Sequence, residues 1–475
     1  MTRRRPTAVL ALAVVLVLAG CTVGYQPTAD ASGPPDDDPP LGYYDGYWHN
    51  DTLDIEPEDG LSARETEAVV SRSMARIQRL RGLRFREDVD VEIVTRETFH
   101  EEFGDVWGEP TADQRRLDNV QHEALFLVGP DEDVFDVRQR NRGGVVLGFY
   151  QPSEKRLVIV SGNDPATLDD EVTLAHELMH VLQDQHFGLS SFDDSTLDSV
   201  NARNGLVEGD ATVVEQAYER NCETGKWECV EARTASGGLP VGFHWGVYFL
   251  GYFPYAEGPN FVEHHRDRGG WTTIDQIYSD VPTTSAEIID PETYRRDAYG
   301  EAVVEDRNDR SWERITVRNG AEAATVGEAG LTSMFVYTAY ASSSPGVVER
   351  DAFRNEGPNG LKSANPYTYD IEYASGWYGD RLHAYERGDR TAYVWNVTFV
   401  DRANATTFAA GYDQVAEYWG GERRSVEDGT VWTFDGADGP FRGAVWIERD
   451  GNAVMIVKAP SESALDDVYA PAETD

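Results

Sequence analysis

Residues 171–187 read EVTLAHELMHVLQDQHF. His176 and His180 stand four apart, framed by Leu174, Ala175, Leu178, Val181 and Leu182. That frame predicts a buried helix from about 165 to 187. Positions i and i+4 share a helix face, so both imidazoles turn toward one point. Such a stretch constrains the whole chain: a second element must cross this helix and complete what the histidines begin. Three of the ten histidines fall between 176 and 186, which concentrates the chemistry here.

Imidazole pairs suit zinc, which brings the pKa of a bound water to about 7. Glu177, beside His176, is then the expected general base. The third ligand is expected at Glu208, within GLVEGDA, 28 residues after His180 and at the start of a helix predicted over 204–219. Gly209 leaves the backbone open there. Glu215 is a weaker choice on a similar face. His186 would complete HExxHxxGxxH, but Gln183 stands where glycine must turn the chain. Gln183 continues the helix and carries His186 ~9 Å past His180. The competing reading, a buried helix with chance histidines, is disfavoured by the apolar frame and by the strand hairpin predicted just upstream, over 143–160.

HELMHVLQDQHF, LVEGDA, FPYAEGPNFV and SAEIIDPETY together carry a resemblance. The chain resembles gluzincin-type zinc peptidases, and over about residues 75–300 a family of secreted bacterial and haloarchaeal surface proteins. The resemblance implies an α+β fold, with a zincin-like domain in which a small β-sheet is followed by active-site helices. It also implies zinc on His176, His180 and Glu208, Glu177 as base, and a peptide or protein substrate. Where relatives commonly read STEQ and His-Pro, this chain has Ser285-Ala286-Glu287-Ile288 and Asp290-Pro291. A donor for the developing oxyanion is expected among Tyr252, Tyr255, His264 and His265, with Tyr255 preferred. Asp184 and Asp210 are candidates to orient the ligand imidazoles.

The first 21 residues, MTRRRPTAVLALAVVLVLAGC, read as an export signal. Arg3, Arg4 and Arg5 precede an apolar run that covers roughly 20 Å, too short for a hydrocarbon core of about 30 Å. Leu18-Ala19-Gly20-Cys21 matches a lipobox, so Cys21 is the expected lipidation site and membrane anchor. In that compartment Cys222 and Cys229 are expected to form a disulfide. Asn50, Asn396 and Asn404 head N-x-S/T sequons.

Charge sets the partners. Asp and Glu number 84 against 42 Lys and Arg, a net charge of −42. Nucleic acid and anionic lipid surfaces are excluded as general electrostatic partners. The acids are dispersed and only four lysines occur, at 155, 226, 362 and 458. Such a surface fits a salt-loving protein, because at about 1 M salt the Debye length is about 3 Å.

The expected organisation is a signal peptide over 1–21, a Pro/Gly/Asp-rich tether over 22–60, a zincin-like domain over 61–305 and a C-terminal α+β domain over 306–475. In the last, a helix over 327–342 precedes strands at 390–400, 430–436, 441–450 and 452–460, with a helix at 404–419 between them. The functional expectation is a membrane-anchored, extracytoplasmic zinc peptidase. The alternative is a non-catalytic surface lipoprotein that uses the same fold for binding or for structural zinc.

Overall fold

A computed structural model describes residues 39–471, apart from 56–60, 104–108, 231–238, 363–364 and the single positions 169, 194, 297, 319, 359 and 438. The signal segment, Cys21 and the first part of the tether lie outside the described residues.

A short hairpin, β1 (Tyr43–Tyr44) and β2 (Tyr47–Trp48), lies on α1 (Ala63–Arg81). Ser62 caps α1 in a reciprocal box with Glu65, and Gly82 ends it at φ 81°. Those are the sequence signals expected for this helix. Arg76 Nε donates to the His49 carbonyl at 3.0 Å, and Arg72 to that of Asp51 at 3.3 Å. The tether expected to run to residue 60 therefore stops earlier. Its aromatic residues give 41–55 enough apolar surface to fold against α1, which the Pro and Asp content masked.

Next come β3 (Asp90–Thr95), α2 (Arg96–Glu102), α3 (Ala112–Ala124), α4 (Val134–Val145), β4 (Gly148–Gln151) and β5 (Arg156–Ser161). The sheet order is β3-β5-β4, with β3 parallel and β4 antiparallel to β5. The predicted hairpin forms, Phe149 opposite Val158 and Tyr150 opposite Leu157, but its first strand begins at Gly148, and 143–145, expected in the strand, end α4. β5 is buried on both faces: Leu157 and Ile159 join the core beneath the next helix, while Val158 and Val160 pack with Phe99 and Phe103. β4 is left as an edge strand.

That next helix is α5 (Glu171–Phe187), which carries both histidines. It starts later than 165 because Asp170 supplies the cap, accepting from Val172 and Thr173. α6 (Leu197–Glu223) begins earlier than expected, at a Thr196–Ser199 capping box. Cys222, in its last turn, is joined by a disulfide to Cys229 just beyond it. α7 (Trp245–Gly269), α8 (Trp271–Ile277) and α9 (Ser285–Ile289) complete this half.

The remainder runs β6 (Glu313–Arg314), α10 (Gly327–Ala341), α11 (Arg350–Phe353), β7 (Glu356–Gly357), β8 (Gly360–Leu361), β9 (Trp377–Arg387), β10 (Arg390–Phe399), α12 (Arg402–Tyr418), β11 (Glu422–Val426), β12 (Gly429–Asp435), β13 (Arg442–Asp450), β14 (Ala453–Ala459) and α13 (Leu465–Val468). Seven strands form an antiparallel sheet in the order β11-β12-β13-β14-β10-β9-β6. The fold is α+β. The chain from Leu41 onward clusters as one unit. The segments expected as two domains share its largest core: Phe126 packs on Tyr412, Phe434 and Phe441, and Lys458 pairs with Glu123 at 2.7 Å. Among the described residues no helix is long and apolar enough to cross a membrane.

Candidate metal centre

α5 is fixed before its histidines are considered. Glu171, in its first turn, is fully buried and accepts from Arg76 at 2.6 Å, Arg72 at 3.0 Å and the Val230 amide at 2.8 Å. Burying a carboxylate so deeply is tolerable only with such donors. Arg76 also covers Trp227 at 4.8 Å, which docks the disulfide loop onto α1. One face of α5 then packs Leu174, Leu178, Val181 and Leu182 into the core with Leu157 and Ile159. α6 crosses α5 and is itself pressed against α7. A Cβ at Gly209 would sit 2.8 Å from the Gly258 Cα, and one at Gly258 would meet the Gly209 backbone at 2.9 Å. The glycines let two helix backbones touch, and Glu208 and Tyr255 arrive beside the crossing.

There His176, His180 and Glu208 converge, with one ligand atom from each lying within 4.8 Å of the others. Both Nε2 atoms lie 3.3 Å from the same Glu208 Oε2. The opposite ring nitrogens are held from behind. His176 Nδ1 donates to Glu215 at 2.9 Å, and His180 Nδ1 to Gln183 Oε1 at 2.9 Å. Gln183 is fully buried, and its amide nitrogen is committed to the Val207 carbonyl at 2.8 Å and the Tyr278 hydroxyl at 3.0 Å. Its oxygen must therefore face His180. Neutral imidazoles held this way carry the proton on Nδ1 and aim both Nε2 lone pairs at a carboxylate oxygen. Lone pairs facing a carboxylate call for a proton on each ring or a cation among them. The donor set can hold a metal ion.

The electrostatics agree. Burial pulls His176 down, but hydrogen bonds to Glu208 and Glu215 more than offset it and leave it well above the usual histidine range. Burial works the same way on His180, and Glu208 again reverses it. Burial would raise Glu208, yet His180 and His176 hold it far below the usual carboxylate range. Glu177 is only 8% exposed. Burial raises it, the two imidazoles lower it, and the net shift is upward. A Cβ at Gly148 of β4 would meet Glu177 Cγ at 2.8 Å, so Glu177 lies directly against the sheet edge. Tyr255 stacks on His176 at 6.2 Å and 27°. Burial of its hydroxyl, then the charges of Glu208 and Glu177, keep that phenol protonated well above its ordinary value.

Other expected residues lie elsewhere. His186 Nε2 bonds the Arg84 carbonyl at 2.7 Å, outside the cluster. Glu215 is behind His176, an orienting group. Asp210 acts one step further back: it pairs with Arg81 at 2.9 Å and accepts from Tyr278 at 3.0 Å, and Tyr278 in turn holds Gln183. Asp184 accepts from Tyr150 at 3.2 Å and from the Leu189 amide at 3.0 Å, not from an imidazole. His264 lies 3.7 Å from Glu292, and His265 packs on Phe261 and Tyr294. Tyr252 neighbours Tyr255. Gln183 and Gly148 join the site without a sequence signal of their own: in the sequence Gln183 only continues the helix where a glycine would turn it. Asn50 is exposed. The amide nitrogens of Asn396 and Asn404 are committed to the carbonyls of Val303 and Ser375, each at 2.9 Å.

Residues 313–469 match the family model of a domain of unknown function, DUF8575. The match begins at β6 and ends just past α13, so it takes in the seven-stranded sheet and the helices packed on it. No curated protein and no solved structure matches the chain.

Proposed function

We propose that this chain is a zinc-dependent peptidase, exported and held at the outer face of the membrane through Cys21. The observation that carries the reading is the convergence of His176, His180 and Glu208, with Glu177 beside it and edge strand β4 alongside. Two imidazoles and one carboxylate suit zinc and leave a coordination position open. Bound there, zinc supplies a Lewis acid and an acidified water.

The chain's own residues do the rest. Glu177 takes the proton released as water attacks the peptide carbonyl, and hands it to the departing amine. Tyr255 donates its hydroxyl proton in a hydrogen bond to the carbonyl oxygen as that oxygen gains charge. The outer edge of β4 presents backbone groups to which an extended peptide can add as a further strand. Gly148, lacking a side chain, keeps Glu177 close to that edge. A small sheet followed by α5 and α6 supports a zincin-like reading of this half. The dispersed acidic surface supports work at high salt.

Metal content and hydrolysis of a randomised peptide pool at high salt test the reading together. Glu177→Gln is expected to keep about one zinc per chain while hydrolysis falls at least ~10²-fold. His180→Ala and Glu208→Gln are expected to lose zinc and activity together. A wild type that binds zinc and cleaves nothing would turn the reading to the non-catalytic lipoprotein.

A further inference from the structure

A row of tyrosines on α7 starts at the centre and leads away from it. Tyr255 and Tyr252 are 5.8 Å apart at 29°, and Tyr252 and Tyr248 are 5.3 Å apart at 26°. The first of them stacks on His176, a candidate ligand. These rings are not core. Tyr255 is 37% exposed, and Tyr252 and Tyr248 are half-buried, whereas Phe249, Phe253 and Ala256 on the adjacent stripe of α7 are fully buried. The hydroxyls of Tyr248 and Tyr252 have no hydrogen-bond partner among the described residues and are not sealed from water. Among the described residues nothing lies within 4 Å of where a Cβ at Gly251, next to them on α7, would sit, so the helix surface is open at that point of the row. Tyr367, from the segment that matches the domain of unknown function, stands edge-on to Tyr252 at 5.6 Å and 82°.

We propose that Tyr248, Tyr252, Tyr255 and Tyr367 form a track for the substrate on one side of the cleaved bond, and that the protein selects peptides with an aromatic side chain within about three residues of that bond. The inference rests on the peptidase reading. Its reach follows from geometry: seven helical residues span about 10 Å, which three residues of extended peptide also cover. Aromatic rings attract one another in offset and edge-on arrangements, and the exposed faces and edges of this row offer both. The unpartnered hydroxyls can donate to peptide carbonyls along the way. Through Tyr367, the C-terminal segment thereby contributes to substrate selection.

The test uses the full chain loaded with zinc, at high salt. Two labelled decapeptide pools are compared, one rich in Tyr and Phe and one with Ala in their place. Hydrolysis is measured on the wild type and binding on Glu177→Gln. The aromatic pool is expected to be cut and bound about tenfold better, with the aromatic residue within three positions of the cut on one side. Replacing Tyr248 and Tyr252 together by Leu is expected to bring that ratio close to one, and replacing both by Phe to preserve it. Hydrolysis without aromatic preference overturns the track and leaves the peptidase reading standing. Aromatic-dependent binding, lost in the double Leu variant, with no hydrolysis by the wild type, upholds the track and overturns the peptidase. Equal loss on both pools in the double Leu variant, or a dimer that this variant dissociates, assigns the row to structure or self-association and overturns the track.

Discussion

Gln183 shows what one residue contributes behind a candidate ligand. Its amide nitrogen is pinned by Val207 and Tyr278, so its oxygen can only meet His180 Nδ1. Gln183→Leu keeps the helix and the volume but removes that acceptor, and His180 is then free to turn or change tautomer. Zinc affinity is expected to fall ~10–100-fold, the usual effect of losing such a partner. Gln183→Glu, which keeps an acceptor, is expected to stay closer to the wild type. Competition with a chelator measures both, and equal affinities for Leu and Gln would mean the bond does not hold the ring. The sequence exposed the candidate ligands more readily than their supports. His176, His180 and Glu208 follow helix period within apolar frames, so their faces can be deduced. A single buried glutamine announces no partner, because its partners come from α6 and from the residue after α8. Glu215 was legible as a carboxylate on the right face, but only the crossing angle of α5 and α6 decides which imidazole nitrogen it meets.

Elements meet the same limit at their ends and crossings. Periodicity revealed α10, α12, β10, β12, β13 and β14, where local pattern and burial agree. It placed the start of α6 too late, since Asn201, Arg203 and Asn204 hide the apolar face. It also missed β9, where Asp380, Arg381 and His383 break the alternation. Asp380 is there for a tertiary reason: it accepts from the Val326 and Gly327 amides at the start of α10 and from Trp377 and Trp395. The α6–α7 crossing can be tested through its glycines. Alanine favours a helix interior over glycine by about 1 kcal/mol. At Gly209 the added Cβ would run into the Gly258 backbone, which cannot swing aside as a side chain does. Gly209→Ala is therefore expected to destabilise by ~1–3 kcal/mol despite its propensity, and to weaken zinc binding by displacing Glu208. Gly251→Ala, with open space around it, is expected to be neutral or to stabilise by up to about 1 kcal/mol. Thermal melts of the two variants should shift in opposite directions, or only the first should move.

Across the whole molecule, the seam between residues 61–305 and 306–475 combines polar contacts with apolar packing. In one polar contact Asp198 of α6 accepts from the Ser285 amide at 2.8 Å, and its own amide donates to the Thr325 carbonyl at 3.1 Å. Burial, only partly countered by Ser285 and reinforced by Asp380 and Glu287, raises its carboxyl to about 7. Glu328 faces the same region from α10. Because the folded value lies above the unfolded one near 3.9, this group's contribution is full below about pH 4 and is lost as pH rises toward 7. Asp198→Asn is expected to gain stability over the wild type progressively between about pH 4 and 7 and to hold that gain above 7, and a pH-independent difference in melting temperature would exclude Asp198 as the cause. Other contacts across the seam set how the chain unfolds. Tyr412 donates to the Ala124 carbonyl, Glu257 accepts from the Tyr369 amide at 2.7 Å, and Phe126 is enclosed by rings from α12 and the sheet. Neither segment covers these groups alone. Calorimetry of the full chain is accordingly expected to give one transition whose calorimetric and van't Hoff enthalpies agree. A fragment of residues 39–305 is expected to bind an apolar dye and to lose zinc affinity, because α7, which presses α6 into place, would lack its partner α10. Two separate transitions, or a 39–305 fragment that melts cooperatively with zinc bound, would show that the site stands without the C-terminal sheet.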